Sequence, residues 1–409
     1  MSARIAVLVS DCNNQSASDW ARRKATELAG CQRTMGSDSQ KGEIMITNGD
    51  DYPLHQTPEP IAYTGGNRNF YDRYFFNGYN REGDVFFAAA LGVYPYVNVM
   101  DAAFSVVVDG VQHNVYGSKV MYLERLDMSV GPVQVAVVEP LKTLKLLVND
   151  TDNGIEADLT FTARTAAHEE PRFTRRSGSQ LFMDVTRMMQ NGYWSGWVKV
   201  KGKTIEVKPD QYWGTRDRSW GIRNIGAPDA QPNPMASDFQ FYWLWAPLNF
   251  AEFGAHYLLN DDAEGKPWNR NAVVIPADGA GEMPLMEDHS CELEFVSGRR
   301  HAKSAVVKMH TAAGELWEFT FKPKWNFYME GVGYGHKEWR HGSYHGELAS
   351  GYDEWRVDDM PPEHLHIQAM CDIELTTPDK TVSGQGVLEQ LIVGPHKPSG
   401  FKEMMDMAP

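Results

Sequence analysis

The sequence predicts an all-β fold with two β domains in tandem, and three observations support this prediction. The chain has 12 Trp, 17 Tyr and 18 Phe among 409 residues, and aromatic side chains favour β-strands. Short apolar runs recur every ~8–12 residues with turn residues between them, which is typical of a β-sandwich or β-barrel. The sequence shows no long amphipathic helix and no βαβ pattern.

Apolar runs define the strands of each half. In the first half they predict strands over residues 84–93, 102–108, 133–138, 144–148, 155–163, 197–200 and 204–207. In the second half they predict strands over residues 238–247, 253–259, 272–275, 291–296, 305–309, 316–321, 364–374 and 386–392. Because the halves hold similar numbers of strands, two β domains are favoured over one.

The domain boundary is predicted from turn-forming residues. A segment rich in Pro, Asp and Asn, residues 226–234, is the best linker candidate. We expect an N-terminal domain over residues 45–229, a C-terminal domain over 230–401 and a tail over 402–409. Residues 1–44 are rich in Ser, Asn, Gln, Lys and Arg, which predicts a loose extension.

Composition excludes several classes of function. The net charge of −15 argues against nucleic-acid binding, which needs a basic surface. Four cysteines without a CxxC pair give neither a zinc ribbon nor a disulfide framework, so a cytoplasmic protein is expected. No apolar run is long enough for a membrane span, and no signal-peptide cleavage site is apparent. Oligomeric state is left open.

The segment from Tyr212 to Arg223 (YWGTRDRSWGIR) is the densest in functional chemistry. If it is extended, Asp217 points to one face, whereas Arg216, Arg218 and Trp220 point to the other. An Asp217 enclosed by aromatic side chains would be protonated and could act as a general acid. The alternative is an ion-pair clamp, in which Asp217 pairs with Arg223 or a distant arginine and only joins strands.

A second candidate feature is aromatic. The side chains of Trp194, Trp197, Trp213, Tyr242, Trp243 and Trp245 could line a deep apolar cavity. Strand alternation places Trp243 and Trp245 on one face and Tyr242 on the other. The alternative role for all of them is ordinary core packing.

Histidines form a third candidate feature. Residues 336–347 contain His336, His341 and His345, and His364 and His366 follow. A metal site would need three converging ligands, whereas solvated loop histidines or supporting partners of the pocket are the alternative.

The Asp-x-x-Trp-Gly at residues 217–221 resembles a motif of the carotenoid 1,2-hydratase (hydroxyneurosporene synthase) family and its AttH-like relatives. The resemblance extends to the Trp-rich run at residues 239–248 and to the Gly-x-Gly-x-x-Glu ending in Glu389. It implies two tandem lipocalin-like β-barrels. It also places Asp217 at the acidic residue that protonates a carbon–carbon double bond, while Arg218 and Ser219 depart from the family's His-Asn/Glu pair.

These observations lead to one functional hypothesis. The protein would be a cofactor-independent hydratase, lyase or isomerase acting on an apolar terpenoid-, steroid- or aromatic-type small molecule. Asp217 would donate the proton, and Glu389 or His366 would act as base. The rings of Trp220, Trp243, Trp245 or Tyr242 would stabilise a cation, and Arg216, Arg218 and Arg223 would set the local field or bind a carboxylate.

Two other functions remain open at the level of sequence. The same barrels could sequester an apolar ligand without catalysis, because one fold serves many functions. A metal enzyme that uses the C-terminal histidines is the third.

Overall fold

The computed structural model describes residues 46, 48–53, 67–121, 124, 126–177, 180–227 and 239–409. Within these residues, 22 β-strands and four short 3-10 helices form two antiparallel sheets, with no α-helix. The predicted all-β fold with two β-barrels is confirmed. The predicted extension over residues 1–44 and most of the predicted linker lie outside the described residues.

The first sheet forms a nearly closed barrel from the N-terminal half of the chain. Its strands follow the order β20-β4-β3-β2-β1-β13-β11-β8-β7-β6-β5, and β9, β10 and β12 pair with the long strand β11. The strands are β1 (Phe70–Asn80), β2 (Phe86–Tyr94), β3 (Val99–Val108), β4 (Val111–Val120), β5 (Ser129–Val130), β6 (Val133–Glu139), β7 (Thr143–Asp150), β8 (Ile155–Ala163), β9 (His168–Glu169), β10 (Phe173–Ser177), β11 (Gln180–Val200), β12 (Lys203–Val207), β13 (Tyr212–Ile222) and β20 (Leu348–Arg356).

The second sheet forms the other barrel, in the order β16-β15-β14-β22-β21-β19-β18-β17. Its strands are β14 (Phe241–Asn249), β15 (Phe253–Asp261), β16 (Pro267–Pro276), β17 (Met286–Phe295), β18 (Ala302–Thr311), β19 (Leu316–Tyr328), β21 (Ile367–Thr376) and β22 (Thr381–Val393). The 3-10 helices are Asn48–Asp51, Met329–Val332, Val357–Asp359 and Lys397–Ser399. None of these helices has the length and apolar character to cross a membrane.

One strand does not follow the division of the chain into halves. Strand β20 comes after β19 of the second sheet but pairs with β4 of the first, from Leu348 opposite Lys119 to Arg356 opposite Val111. The first sheet therefore contains a strand from the C-terminal half, which ties the two barrels together through the chain itself.

The two barrels pack wall against wall. Even-numbered side chains of β1 such as Phe76 point into the first barrel, where Phe76 packs on Phe161 and Trp194. Odd-numbered side chains of the same strand point outward to the second barrel: the Phe75 ring contacts Trp245, and Asn77 donates a hydrogen bond to Gln368 at 3.0 Å. The strands β1, β11 and β13 therefore form the wall that faces the second barrel.

Two arginines of the sequence motif are buried inside the first barrel. Arg216 forms an ion pair with Asp51 and donates a hydrogen bond to Gln190 at 3.0 Å. Arg218 forms an ion pair with Asp72 at 2.6 Å and stacks on Tyr74 at 3.9 Å. Both arginines therefore pair with carboxylates in the interior of the first barrel.

Removal of one partner from this buried pair should destabilise the fold. Asp51→Ala leaves the Arg216 guanidinium buried without a counter-charge, so we expect it to lower the free energy of unfolding by about 3–5 kcal/mol. The double variant Asp51→Leu/Arg216→Met should recover most of this loss, because it removes both charges. Urea denaturation measures both effects, and a cost below about 1 kcal/mol for Asp51→Ala would contradict the role assigned to the pair.

Candidate functional site

Strand β13 places Asp217 at the centre of the wall between the barrels. Asp217 lies opposite Phe75 of β1 and Met189 of β11. One step along the same face, Ser219 lies opposite Arg73 and Arg187. Because paired residues of adjacent strands point to the same side, both arginines flank Asp217 diagonally.

The environment of Asp217 favours its protonated form. Burial raises the pKa of this carboxyl to about 6 from an ordinary 3.8, even though Arg187, Arg73 and Arg223 act to lower it. The nearby charge of Glu389 raises it further. Desolvation therefore outweighs three arginines, so Asp217 is about half protonated near pH 6 and keeps a minor protonated fraction at pH 7.

Glu389 of β22 lies near Asp217 on the side of the second barrel, and its pKa is lowered where that of Asp217 is raised. Its Oε1 accepts hydrogen bonds from His366 Nε2 at 2.8 Å and Trp243 Nε1 at 3.2 Å, and its Oε2 accepts one from Gln368 Nε2 at 2.8 Å. Burial alone would raise the pKa of Glu389, but the contacts with His366, Gln368 and Arg187 lower it below the usual value. At a pH above the pKa of Glu389 and below about 6, Glu389 is therefore ionised while Asp217 keeps its proton.

A third buried carboxyl, Glu170, anchors one of the arginines. It forms an ion pair with Arg187 at 3.3 Å and accepts a hydrogen bond from Trp245 Nε1 at 2.7 Å. Burial raises the pKa of Glu170 to about 7 in spite of these contacts. His256 lies 3.5 Å away, and burial together with His168 and Arg187 holds its pKa well below the usual value.

The remaining arginines are held by one histidine. His341 Nδ1 accepts hydrogen bonds from Arg73 at 2.9 Å and Arg223 at 3.1 Å, while its Nε2 lies 3.0 Å from the Val332 carbonyl oxygen. Since an arginine only donates, this geometry assigns the proton to Nε2. Burial and the two arginines hold the pKa of His341 well below the usual value, so the ring is neutral.

A cavity of about 240 Å³ lies beside these groups, between the two barrels. Most of its wall is aromatic or aliphatic, with charge concentrated at a few positions, as in many small-molecule sites. It is lined by Tyr71, Phe173, Met183, Val185, Arg187, Arg223, Asn224, Phe239, Phe241, Trp243, Tyr334, His366, Glu389 and Leu391. Asp217 is not part of this lining, but it is partly exposed and interacts electrostatically with Arg187, Glu389 and Arg223.

Several residues singled out in the sequence meet here. Glu389, His366, Arg223 and Trp243 line the cavity, and Asp217 lies next to them. Trp245 lies on the same face of β14 as Trp243 and binds Glu170. The clamp alternative paired Asp217 with Arg223 or a distant arginine. The Arg223 guanidinium lies over the Tyr71 ring at 4.3 Å and is hydrogen-bonded to His341, while the more distant Arg187 and Arg73 act on Asp217 through their charges.

Other predicted binding residues lie elsewhere. Trp194 packs in the first barrel and donates a hydrogen bond to the Asn77 carbonyl, and Tyr242 lies in the second barrel, stacked on His396 at 3.9 Å. Trp213 lies between Arg81 and Arg164 at a different edge of the interface. Trp197, 37% exposed, is opposite Glu206 at the outer edge.

The remaining motif residues occupy the face of β13 opposite Asp217. Arg216 and Arg218 enter the first barrel, and Trp220 shares their face, opposite Asp72 and Thr186. They therefore cannot touch a ligand beside Asp217.

The histidine-rich run does not form a metal centre in the described part of the chain. Over these residues, no group of three or more His, Cys, Asp or Glu side chains is placed to hold a metal ion. His336 pairs with Asp353 at 3.0 Å, and His345 contacts the Glu338 carbonyl. His341 contacts Arg73 and Arg223, two arginines of the site, which is a supporting role.

Four residues of the site were missed from the sequence: Arg73, Glu170, Arg187 and Tyr334. A signal for two of them exists, because Tyr71, Arg73 and Phe75 alternate in β1 as Val185, Arg187 and Met189 do in β11. An arginine in the middle of such an alternating apolar face predicts a buried, partnered charge. Glu170 and Tyr334 lie outside any such pattern.

Solved structures with a similar course of the chain share little sequence with it. Kievitone hydratase from Nectria haematococca has 12% identity and a TM-score of 0.47, covering 87% of this chain and 96% of its own. CghA has 11% identity and a TM-score of 0.48, covering 80% of this chain and 88% of its own. CghA with Sch210972 has 11% identity and a TM-score of 0.47, covering 80% of this chain and 89% of its own.

The sequence comparisons give a family. The search of curated proteins finds no match. A family model described as "Family of unknown function (DUF8625)" matches residues 46–402, which include both barrels. The chain therefore belongs to this family of unknown function, DUF8625.

Proposed function

We propose that the protein is a hydratase, lyase or isomerase that transfers a proton to a carbon–carbon double bond of an apolar small molecule. Asp217 is the acid, and Glu389, supported by His366, is the base. The cavity between the barrels holds the substrate.

One observation carries this proposal: two carboxyls beside one apolar cavity have opposite protonation tendencies. Asp217 has a pKa raised to about 6 by burial, whereas the pKa of Glu389 is lowered by its hydrogen bonds. Paired carboxyls whose environments separate their pKa values in this way are the usual acid and base of an active site.

The supporting contacts fix the base more firmly than packing would require. Gln368 donates to Glu389 and accepts a hydrogen bond from Asn77 at 3.0 Å, and the Asn77 side-chain oxygen accepts one from the Thr215 amide at 2.9 Å. This chain of hydrogen bonds links the strand of the acid, β13, to the strand of the base, β22. It holds the two carboxyls in a fixed relation across the boundary between the barrels.

The two reaction types differ in what the base removes. In a hydration, Glu389 takes a proton from water, the water oxygen bonds to one alkene carbon, and Asp217 protonates the other. In an isomerisation, Glu389 takes a proton from a carbon next to the double bond. In both, the proton gained by Glu389 returns to Asp217 through solvent before the next cycle.

A binding protein for an apolar ligand is the second candidate, and the aromatic cavity is the observation that favours it. A carrier, however, gains nothing from burying carboxyls beside its ligand, because a buried charge costs free energy. The two functions differ in what a change at Asp217 does.

The first test removes the proton donor. Asp217→Asn keeps the size of the side chain but cannot give up a proton, so turnover should fall by roughly 10²–10⁴-fold while ligand affinity stays within a few-fold. The assay incubates the protein with a panel of apolar alkenes and enones in D₂O and follows deuterium uptake or gain of water by mass spectrometry.

The matched control is Asp158→Asn, on the outside of the first barrel, where Asp158 pairs with Lys145 at the surface. It should leave turnover unchanged. Full turnover in Asp217→Asn would overturn the catalytic role, and an effect on affinity or stability alone would favour the carrier.

The second test uses the pH dependence of stability. The pKa of Asp217 is about 6 in the folded protein and 3.8 ordinarily. Because the unfolded chain ionises this carboxyl more readily, the free energy of unfolding falls as the pH rises from below 3.8 through 6. Asp217→Asn escapes this cost. Relative to the unmodified protein, it should therefore gain about 2–3 kcal/mol of unfolding free energy between about pH 4 and pH 7, measured by urea denaturation.

The comparison between the two proteins removes most of the contribution of Glu170, whose pKa of about 7 is raised mainly by burial in both. A stability difference that is constant with pH, or that shrinks as the pH rises, would contradict the raised pKa of Asp217.

A further inference from the structure

Two arginine side chains in the wall of the cavity beside Asp217 are packed against aromatic rings. The Arg187 guanidinium lies over the Trp243 ring at 4.8 Å and over Phe173 at 5.0 Å. The Arg223 guanidinium lies over Tyr71 at 4.3 Å and Tyr334 at 5.3 Å. Both arginines line the cavity, so a bound molecule meets two fixed positive groups.

One of these arginines has an unused hydrogen-bond donor. The Nε of Arg187 is buried, and among the described residues no acceptor lies within hydrogen-bonding distance of it. Buried donors are nearly always satisfied, so an unpaired guanidinium nitrogen at a cavity wall points to an acceptor supplied by a ligand. An oxygen atom of a bound substrate would meet this need.

The same contacts disfavour a positively charged intermediate. The Trp243 ring, one of the four aromatic side chains expected to stabilise a cation, already carries Arg187 on its face. Tyr242 and Trp220 lie away from the cavity. A carbocation in this cavity would stand beside two arginines, whereas a developing oxyanion would be attracted to both.

We infer that the substrate's double bond is conjugated to a carboxylate, which Arg187 and Arg223 bind and whose oxygen atoms take up further negative charge during the reaction. This inference rests on the proposed function and names its substrate class.

The electron flow then balances without a cofactor. In a hydration, Glu389 removes a proton from water, and the water oxygen bonds to the carbon distal to the acceptor. The π electrons move onto the acceptor oxygen, giving an enolate held by the two arginines. The enolate electrons return to form a bond between the proximal carbon and the proton of Asp217, so that one water is added in total.

His341 is the positioning residue of this arrangement. It accepts hydrogen bonds from Arg73 and Arg223, and its other nitrogen is bound to the Val332 carbonyl. A neutral imidazole in this position orients the Arg223 guanidinium toward the cavity without adding charge.

A matched pair of unreactive probes tests the substrate class separately from catalysis. 2-Naphthoate and 2-naphthamide have the same rings, but only the first is an anion. Neither has a non-aromatic double bond, so neither reacts. By calorimetry, the unmodified protein should bind the naphthoate at least ~10-fold more tightly than the amide.

The arginine variants identify the groups responsible. Arg223→Met and Arg187→Met should reduce this preference to about 2-fold or less, mainly by weakening naphthoate binding. Arg270→Met removes a surface arginine that is paired with Asp288, and this variant should still prefer naphthoate over naphthamide. Arg187→Met leaves Glu170 without its arginine partner, so circular dichroism checks whether this variant is folded. If Arg187→Met is unfolded, the result for Arg223→Met decides the test.

Equal binding of acid and amide, a preference that survives in Arg223→Met, or no naphthoate binding at millimolar concentration would overturn the inference. These outcomes leave the role of Asp217 untouched, because the probes undergo no proton transfer. Conversely, a clear preference for naphthoate together with full turnover in Asp217→Asn would retain the anion site and remove the proposed acid.

Discussion

The cost of burying charge between two β-barrels is the constraint on which the rest of this structure depends. Charged side chains on a wall that faces another sheet must be paired or hydrogen-bonded, or they lose their charge. Here Arg187 pairs with Glu170, and Arg73 and Arg223 bind the neutral His341. Glu389 has three donors. Asp217 is left with attraction from arginines but insufficient compensation for burial, and its pKa rises.

This constraint divides strand β13 between two tasks. Its even-numbered arginines, Arg216 and Arg218, are satisfied by Asp51 and Asp72 inside the first barrel. Its odd-numbered Asp217 faces the second barrel. Stability and the proposed chemistry therefore use one strand but opposite faces, and changes on one face need not disturb the other.

The strands can be predicted from the sequence to a greater extent than the site. Apolar runs and turn residues predict most strands, and the alternation in residues 212–223 correctly separates Asp217 from Arg216 and Arg218. Trp194 and Tyr242 show the limit, because an aromatic residue in a strand can equally face a barrel interior or the neighbouring barrel. Arg187, Glu170 and Arg73 reach Asp217 through strand register and barrel packing, which no local pattern encodes.

The central claim is that the wall between the barrels raises the pKa of Asp217 to about 6 while it lowers the pKa of Glu389. Carbon-13 NMR titration of labelled Asp and Glu carboxyls, assigned with Asp217→Asn and Glu389→Gln, tests it most directly. The account predicts a midpoint near 6 for Asp217 and one below the ordinary 4.5 for Glu389. An Asp217 that titrates at or below 3.8, or a Glu389 that titrates above Asp217, would contradict it.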